Sequence, residues 1–430
     1  MKPFFFHIFS LAVFLSSIHF GLFAQEIIIS GKIIDSKDHE PLAFATVSIP
    51  GTSTGVVSNF RGEFEFHFSA DHAEDDLIVS TLGYKPKKLA INQIKNKTGT
   101  IIKLEESVIL LKEVEVNAKG QLEAKEIVKK AKQHMIKNIP SSPYLLNFFT
   151  RSHKKECEKY KMLYEADFNF YGRGYKRDMK TKKVYINEAR QSKRPDYYHS
   201  SRLRTDRNLI ELLFVTDNIL PSHRGLSMTS NEYEFENMTM VDGNLVYVVK
   251  GIVERGFRWD HDIYHIYIDS ETFAILKIDW EMKNTGETFH DVPSSDSTWV
   301  RSMVHKKTIQ FTQHEDKYYP KYVSIMFMGT VFRNGTNEEV CDWEFQTEML
   351  LTKLDTVNIQ KPIEEPMKMN VSHEFQLKPY NSSFWEHYSL VKDFPVTDQI
   401  VRDLGGKENL KQQFENSYEE MEEFKKNMVQ

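Results

Sequence analysis

Alternating apolar and polar positions in the first quarter of the chain predict short β-strands. From position 43 to position 49 every second side chain is small or aliphatic, and Phe64, Phe66 and Phe68 alternate with polar residues. A period of two places one face of each segment in a core. Short strands at this spacing, separated by turn residues and without a helical period between them, predict a β-sandwich over residues 26–117.

Residues 121–138 switch to a helical period, with an apolar stripe on one side and lysines on the other. This pattern predicts an amphipathic helix that ends before Pro140, within a linker at residues 118–140. The apolar stripe favours packing against a sheet, and the basic side leaves contact with a membrane surface as the alternative. The residues of the stripe are Leu122, Ile127, Val128, Ala131 and Met135.

Residues 141–360 are rich in alternating segments that predict antiparallel hairpins. One hairpin is predicted to turn at Asp242-Gly243 and another at positions 269–272, and longer strands follow. Residues 207–221 are more continuously apolar and predict a buried helix. Successive hairpins with a helix laid across them predict an α+β domain on a curved antiparallel sheet, which could take the form of a half-barrel.

Residues 361–430 form a C-terminal extension of a different character. The pair Phe384-Trp385 is a candidate hydrophobic anchor. The charged segment after Glu408 predicts a last helix whose apolar positions are only loosely helical in spacing. This favours a frayed surface helix over one that binds a partner or another copy of the chain. Those apolar positions are Leu410, Phe414, Met421 and Phe424.

The first residues have the composition of a secretory signal peptide at positions 1–24. Lys2 precedes an apolar run that ends at Phe23, and the small residue Ala24 follows. We therefore expect export and cleavage after Ala24, with a retained membrane anchor as the alternative.

Composition and charge exclude several classes of protein. With 430 residues, 40% hydrophobic and 27% charged, the chain has enough apolar side chain for two or three globular domains. The formal net charge of -5 gives no electrostatic footprint for nucleic acid. Two cysteines, Cys157 and Cys341, are too few for a disulfide framework or a cysteine zinc site, and the sequence leaves open whether they pair.

Candidate catalytic and metal-binding residues are few. His153 and Glu156 fit half of a zinc motif, and His261 or His265 could serve as a third ligand. A chain of this composition contains such a spacing by chance, and the charges around His153 predict a solvated hairpin end instead. No nucleophile elbow or phosphate loop is present. We therefore expect no metal, no other cofactor and no enzymatic activity, with a hydrolase site assembled from distant residues as the alternative.

The first domain also resembles a known family. The stretch GKIIDSKDHEPLAFATVSIPGTSTGVVSNFRGEFEF at residues 31–66, followed by LIVSTLGYKPKKLAI and IIKLEE, resembles the carboxypeptidase-regulatory-like domain, a transthyretin-like sandwich of seven strands. It departs from that family at Asn59-Phe60-Arg61, where an acidic residue usually precedes the turn glycine. In TonB-dependent receptors of Bacteroidetes-type bacteria, a segment similar to LLKEVEVNA at residues 110–118 follows this module.

That resemblance implies an exported envelope protein, in the periplasm or associated with the outer membrane. A receptor of the TonB-dependent class needs a plug and then a very large barrel. Roughly 310 residues follow Ala118 and they include predicted helices. We therefore expect the module without the plug or the barrel.

The second domain is more weakly similar to the lipoprotein-carrier-like half-barrels of the bacterial envelope. The similarity rests on GNLVYVVKG and IYIDSETFAILKID, and it implies an apolar concavity that holds acyl chains. Met326, Met328 and Trp280 would then line a pocket, and an ordinary core between sheet and helix is the alternative.

The predicted function is therefore non-enzymatic binding or scaffolding in the cell envelope. The expected partner is a lipid or other apolar ligand, a glycan, or an envelope protein. Service as an accessory to an outer-membrane receptor complex is the alternative.

Overall fold

The computed structural model describes residues 26–42, 45–50, 55–58, 61–81, 83–94, 98–107, 123–174, 183–192, 232–241, 244–255, 259–283, 291–293, 298–336, 338–367, 377–388, 398–406 and 408–428. The predicted signal peptide, the segment 110–118, the helix predicted at 207–221 and the turn at Asp242-Gly243 lie outside these residues. The described chain divides into two compact units, Met1–Glu106 and Ser107–Gln430. The finer domain boundaries stay predictions.

The first unit contains seven described strands in two sheets. One sheet has the order β4-β1-β7 and the other β3-β2-β5-β6. All pairs are antiparallel except β1 and β7, which run parallel. The strands are β1 (Glu26–Asp35), β2 (Thr46–Ser48), β3 (Gly55–Val57), β4 (Glu63–Ser69), β5 (Asp76–Ser80), β6 (Lys87–Ala90) and β7 (Thr100–Leu104), with short 3-10 turns at Ala70–His72 and Ile91–Gln93.

The two sheets share one hydrophobic core, which confirms the predicted sandwich. Phe64, Phe66 and Phe68 are all buried, as their alternation predicts. Gly62 has a φ of 72°, and a Cβ at this position would lie 2.2 Å from the Ile33 carbonyl oxygen. The turn before β4 therefore requires glycine both for its conformation and for its close approach to β1.

The second unit carries eleven described strands and four described helices. The strands are β8 (Tyr144–Glu156), β9 (Lys159–Gly172), β10 (Lys183–Gln191), β11 (Glu232–Val241), β12 (Asn244–Arg255), β13 (Trp259–Asp269), β14 (Ile275–Lys283), β15 (Asp291–Pro293), β16 (Thr298–His314), β17 (Lys317–Arg333) and β18 (Glu339–Asp355). The helices are α1 (Ala124–Asn138), α2 (Ser382–His387), α3 (Asp398–Leu404) and α4 (Leu410–Met428). None of the described helices is long and apolar enough to cross a bilayer.

These eleven strands form one large antiparallel sheet that is curved and not closed, as predicted. Its order is β10-β9-β8-β18-β17-β16-β14-β13-β12-β11, and β15 pairs with β16. The hairpin predicted at positions 269–272 is present between β13 and β14. There the Asp269 carboxylate accepts hydrogen bonds from the Glu271 and Thr272 amides at 3.1 and 2.7 Å.

Helix α1 packs across one face of this sheet, which we call the inner face. Ile127, Val128, Ala131 and Met135 are buried against it, so the predicted stripe is confirmed for every member that the structure describes. Burial of each large apolar side chain contributes about 1.5–3 kcal/mol, which exceeds what helix propensity alone supplies. The helix ends at Asn138, two residues before Pro140.

The strand register separates apolar from polar side chains across the whole sheet. Ten directly paired residues on ten strands, which we call the inner row, lie on the inner face, and all but one are apolar. The adjacent outer row, displaced by one residue on every strand, is polar throughout. The inner row is Phe235, Val249, Ile266, Ile278, Ile309, Val323, Met349, Thr150, Ala166 and Ala189. The outer row is Glu234, Lys250, His265, Asp279, Thr308, Ser324, Glu348, Arg151, Glu165 and Arg190.

The C-terminal helices pack onto the outer face of β9 and onto β10 rather than fraying. Leu410 and Phe414 of α4 are buried with Ile400 of α3 against Tyr160 and Leu163 of β9. Met421 is also buried, so the expectation of a frayed surface helix is wrong. Leu410 and Phe414 join one cluster with β9, and Met421 joins the core of the inner face.

A disulfide joins Cys157 to Cys341, which settles a pairing that the sequence left open. Cys157 and Glu158 form the two-residue turn between β8 and β9, and both have positive φ, at 49° and 63°. Cys341 lies in β18, the strand beside β8. The bridge therefore ties a hairpin turn to a strand 184 residues away in sequence.

We predict that replacing both cysteines by serine lowers the free energy of unfolding of the second unit by about 3–5 kcal/mol, because the bridge closes a long loop in the unfolded chain. Equilibrium unfolding in guanidinium chloride measures the change. A reducing agent should shift wild type by the same amount and leave the double variant unchanged. An unshifted transition in the variant would show that the bridge adds no stability.

Candidate functional site

A small apolar cavity lies between α1 and the inner face of the large sheet. Its volume is about 30 Å³, room for about two water molecules. Its walls come from α1, the residue that follows α1, the β13–β14 turn, β14, β16 and β17. Seven of its eight lining residues are aliphatic or aromatic: Ala131, Met135, Ile139, Phe273, Ile275, Phe311 and Tyr318, with Asn138 as the eighth.

Phe273 forms the wall of the cavity opposite α1 in an unfavourable backbone conformation. Its φ is 55°, in the left-handed region that aromatic residues rarely adopt. The ring lies 5.4 Å from the His134 ring and 6.4 Å from the Tyr247 ring, measured between centroids. The hydrogen bonds of the preceding Asp269 turn hold this conformation in place, so the aromatic wall is built by the turn.

The border of the cavity is polar and mostly cationic. Lys130 lies with its Nζ 5.0 Å from the centre of the Phe273 ring, and His134 follows one turn later on α1. Asn138 donates to the Thr272 carbonyl at 3.3 Å, and Lys317 donates to the Lys137 carbonyl at 2.8 Å. An apolar interior with a few polar groups at its border is typical of sites that take an apolar ligand.

The residues that the sequence proposed for a lipid pocket do not come together. Trp280 pairs with Lys307, which pairs with Ile325, and this set lies on the inner face. Met326 is the next residue along β17 after Ile325, and Met328 follows at a spacing of two, so both point to the outer face. The predicted trio is therefore divided between the two faces of the sheet.

The proposed zinc residues are also separated. His153 and Glu156 are three apart on β8 and so point to opposite faces of the sheet. His153 lies 3.4 Å from Glu344, whereas Glu156 pairs with Lys154 at 2.6 Å. No group of three or more histidine, cysteine, aspartate or glutamate side chains suited to a metal occurs among the described residues.

The remaining histidines that the sequence proposed as third ligands lie in β13. The His261 side chain is outside the described part of the structure, and His265 lies 3.3 Å from Glu236. The prediction that the His153 segment is a solvated hairpin end is right only for the turn. His153 and Glu156 themselves are buried.

The outer row ends in a buried ionic cluster on β8, β9 and β10. The Glu165 carboxylate is fully buried between the Arg151 and Arg190 guanidiniums, each of which contacts it at 2.5 to 2.6 Å. Burial alone would raise the pKa of the Glu165 carboxyl, but Arg190 and Arg151 outweigh that effect and hold the pKa below its usual range.

The C-terminal segment covers this cluster. The Arg190 guanidinium lies between two aromatic rings, with its Cζ 4.3 Å from the Trp385 ring centre and 4.7 Å from the Phe414 ring centre. Tyr388 donates to the Asp167 carboxylate at 2.7 Å. Burial, and then the charge of Asp167, raise the pKa of the Tyr388 hydroxyl well above its usual value, so it stays a donor.

This arrangement suits anchoring rather than catalysis. A general base needs a carboxylate that can accept a proton near neutral pH. Glu165 has both oxygens occupied by guanidiniums and a lowered pKa, so it stays ionised. The cluster therefore fastens α2 and α4 to the outer face through Arg190, and the predicted Phe384-Trp385 anchor acts through Trp385.

Sequence reasoning missed this cluster, although a signal was present. Glu165 and Asp167 alternate with apolar side chains in β9, which marks them as residues of one face. Their partners lie 14 and 25 residues from Glu165 and 221 residues from Asp167. Only the strand register and the return of the C-terminal segment bring these groups together.

Comparison with known proteins supports the family resemblance of the first unit. Residues 29–116 match the family model of the CarboxypepD_reg-like domain, which confirms the resemblance seen in the sequence. Over 105 residues the chain is 32% identical to the TonB-dependent receptor SusC of Bacteroides thetaiotaomicron. The match covers 24% of this chain and 10% of the receptor, so the chain spans only a small part of that relative.

Solved structures similar to this chain include a LolA superfamily protein from Nitrosomonas europaea, at 10% identity and a TM-score of 0.23. They also include a DUF1329 family protein from Desulfovibrio piger, at 10% identity and a TM-score of 0.26. Each alignment covers 56% of this chain and 96% of the other. Similarity at this level carries no argument about the fold or the function of this chain.

We predict that Glu165→Gln destabilises the second unit by about 3–5 kcal/mol at neutral pH, because it leaves the buried Arg190 and the largely buried Arg151 without their carboxylate. Because the folded-state pKa of Glu165 is lowered, its contribution is present above the unfolded pKa and is lost as pH falls through the folded value. Below about pH 5, wild type should therefore lose stability more steeply than the variant. Urea unfolding as a function of pH measures both effects.

The matched control is Glu338→Gln, which removes the partner of an exposed ion pair with Arg333 at 2.9 Å. We expect less than about 1 kcal/mol from this change. Equal effects of the two substitutions would contradict the anchoring role of Glu165.

Proposed function

We propose that the second unit is a non-enzymatic binding unit of the cell envelope that holds an apolar ligand, such as an acyl chain, between α1 and the inner face of the sheet. The observation that carries this proposal is the cavity itself, where an apolar space remains between an amphipathic helix and the inner face of the sheet. A purely structural core is close-packed and leaves few such spaces.

The strained conformation of Phe273 supports a binding role over a purely structural one. A left-handed aromatic residue costs of order 1–3 kcal/mol and persists where the surroundings enforce it. Such residues cluster at ligand sites, and this one lines the cavity. The strained residue thus lies where a ligand would contact the sheet.

The size of the cavity implies that α1 moves on binding. A space of about 30 Å³ cannot hold an acyl chain, because it corresponds to about two water molecules. The ligand would enter along the seam between α1 and the β13–β14 turn, with its apolar part replacing some of the helix contacts with the inner row.

The envelope assignment rests on three separate supports. The Cys157–Cys341 disulfide suits an oxidising compartment. The CarboxypepD_reg-like domain and the partial identity with SusC add an envelope context. Together with the predicted signal peptide they favour the periplasm or association with the outer membrane.

We predict that Ala131→Leu weakens binding of an apolar ligand, because it fills the cavity from the helix side. A fluorescent fatty acid titrated into delipidated protein should bind wild type and bind the variant about tenfold more weakly or not at all. Native mass spectrometry of wild type purified from its own envelope should show a bound lipid that extraction removes.

The matched control is Ala124→Leu. Ala124 is buried on the same side of α1 but does not line the cavity, so it tests whether overpacking alone weakens binding. Wild type that carries no lipid and takes up no fatty acid would overturn the proposal. Equal weakening in the two variants would overturn the placement of the site.

A second candidate function is service as an accessory to an outer-membrane receptor, and the partial identity with SusC favours it. Ile101 in β7 is 63% exposed and offers an apolar contact on the first unit. Co-purification of a receptor with the wild-type chain, lost in Ile101→Ser, would support this role. Recovery of the chain without any receptor would argue against it.

A further inference from the structure

Helix α1 presents a strongly basic surface on the side that faces away from the sheet. It carries five lysines and one glutamate in fifteen residues, whereas the whole chain has a formal net charge of -5. Lys125, Lys129 and Lys137 are exposed. The positive charge is thus concentrated on one short element of an acidic protein.

These three lysines have no acidic partner among the residues that the structure describes. Other exposed lysines of the same unit do have one, such as Lys353 with Asp355 at 2.9 Å and Lys411 with Glu386 at 3.2 Å. Within the described part of the chain, the charge of these three lysines is therefore available to a partner.

An apolar side chain lies within this basic surface. Ile136 is 59% exposed, and it shares a helical stripe with Lys125 and Lys129 at spacings of eleven and seven residues. Lysine side chains around an exposed aliphatic residue form the pattern of a helix that lies in a membrane interface. There the apolar group enters the acyl boundary and the ammonium groups meet phosphates.

We propose that the outward face of α1 docks the second unit onto an anionic membrane surface, with Ile136 in the interface and Lys125, Lys129 and Lys137 against lipid phosphates. A nucleic acid would offer phosphates too, but it would leave Ile136 without an apolar environment. The docking face is opposite the cavity side of α1, so this inference can fail or hold independently of the proposed apolar ligand.

Vesicle co-sedimentation of the exported protein tests the proposal. Wild type should bind vesicles that contain about one third phosphatidylglycerol and should not bind pure phosphatidylcholine. The binding should fall as salt is raised to about 0.5 M, since charges at the surface are then screened. Binding of equal strength to both kinds of vesicle would overturn it.

The key variant is Lys125→Glu/Lys129→Glu/Lys137→Glu, for which we expect at least about a hundredfold loss of partitioning onto the anionic vesicles. The matched control is Lys159→Glu/Lys353→Glu/Lys361→Glu, which changes the net charge equally at exposed positions away from α1. Wild type and both variants share the same N-terminal residues, so a difference between them reports on α1. Equal losses in the two variants would overturn the assignment to this face.

Ile136→Ser separates docking from simple charge attraction. We expect it to weaken binding about fivefold or more at moderate salt without changing the thermal unfolding midpoint, because the side chain is exposed in the folded protein. Wild-type binding by this variant would overturn the insertion of Ile136. Fatty-acid uptake, measured on Ile136→Ser in solution, should stay unchanged and thereby distinguishes this proposal from the one on the cavity.

Discussion

The second unit depends on one constraint, the register that holds ten paired strands in phase. Side chains alternate between the faces of a strand, so a slip of one residue in any pair would exchange the inner and outer rows from that strand onward. Two adjacent residues illustrate this alternation. Ile278 packs in the hydrophobic core, whereas Asp279 forms an ion pair with Lys277. The cavity, the buried cluster and the packing of α1 on the sheet all depend on this register.

The same register explains why the outer row changes character along the sheet. Near β11 its members are exposed or half-buried, and the ion pair of Lys250 with Glu234 is long, at 3.8 Å. At β8 to β10 the C-terminal helices exclude water, and there Glu165 must be met by two guanidiniums to stay charged. Arg190 in turn needs the aromatic rings of α2 and α4, so the covering segment and the cluster stabilise each other.

Much of the architecture could be predicted from local pattern, because local pattern decides which side of an element is buried. The phenylalanines of β4, the stripe of α1 and the Asp269 turn all depend on residues within a few positions of each other. Contacts between distant segments could not be predicted in this way. The Cys157–Cys341 bridge spans 184 residues, and the burial of His153 depends on neighbours that include Glu344, 191 residues away. Residue type alone places Met326 and Trp280 in one predicted pocket. Only the pairing of β14 with β17 through β16 shows that they lie on opposite faces of the sheet.

The polar contacts around the cavity indicate which of its walls moves. The turn that carries Phe273 is fixed by the Asp269 side chain and by the Asp269 amide, which donates to the Ala274 carbonyl at 2.9 Å. Helix α1 has no side-chain cap at Glu123, and at its C-terminal end Asn138 and Lys137 connect it to the β13–β14 turn and to β17. Apolar contacts are non-directional and tolerate sliding, whereas hydrogen bonds fix position. A ligand entering the seam would therefore leave the turn in place and displace the apolar contacts of α1, so that the helix is the wall that moves.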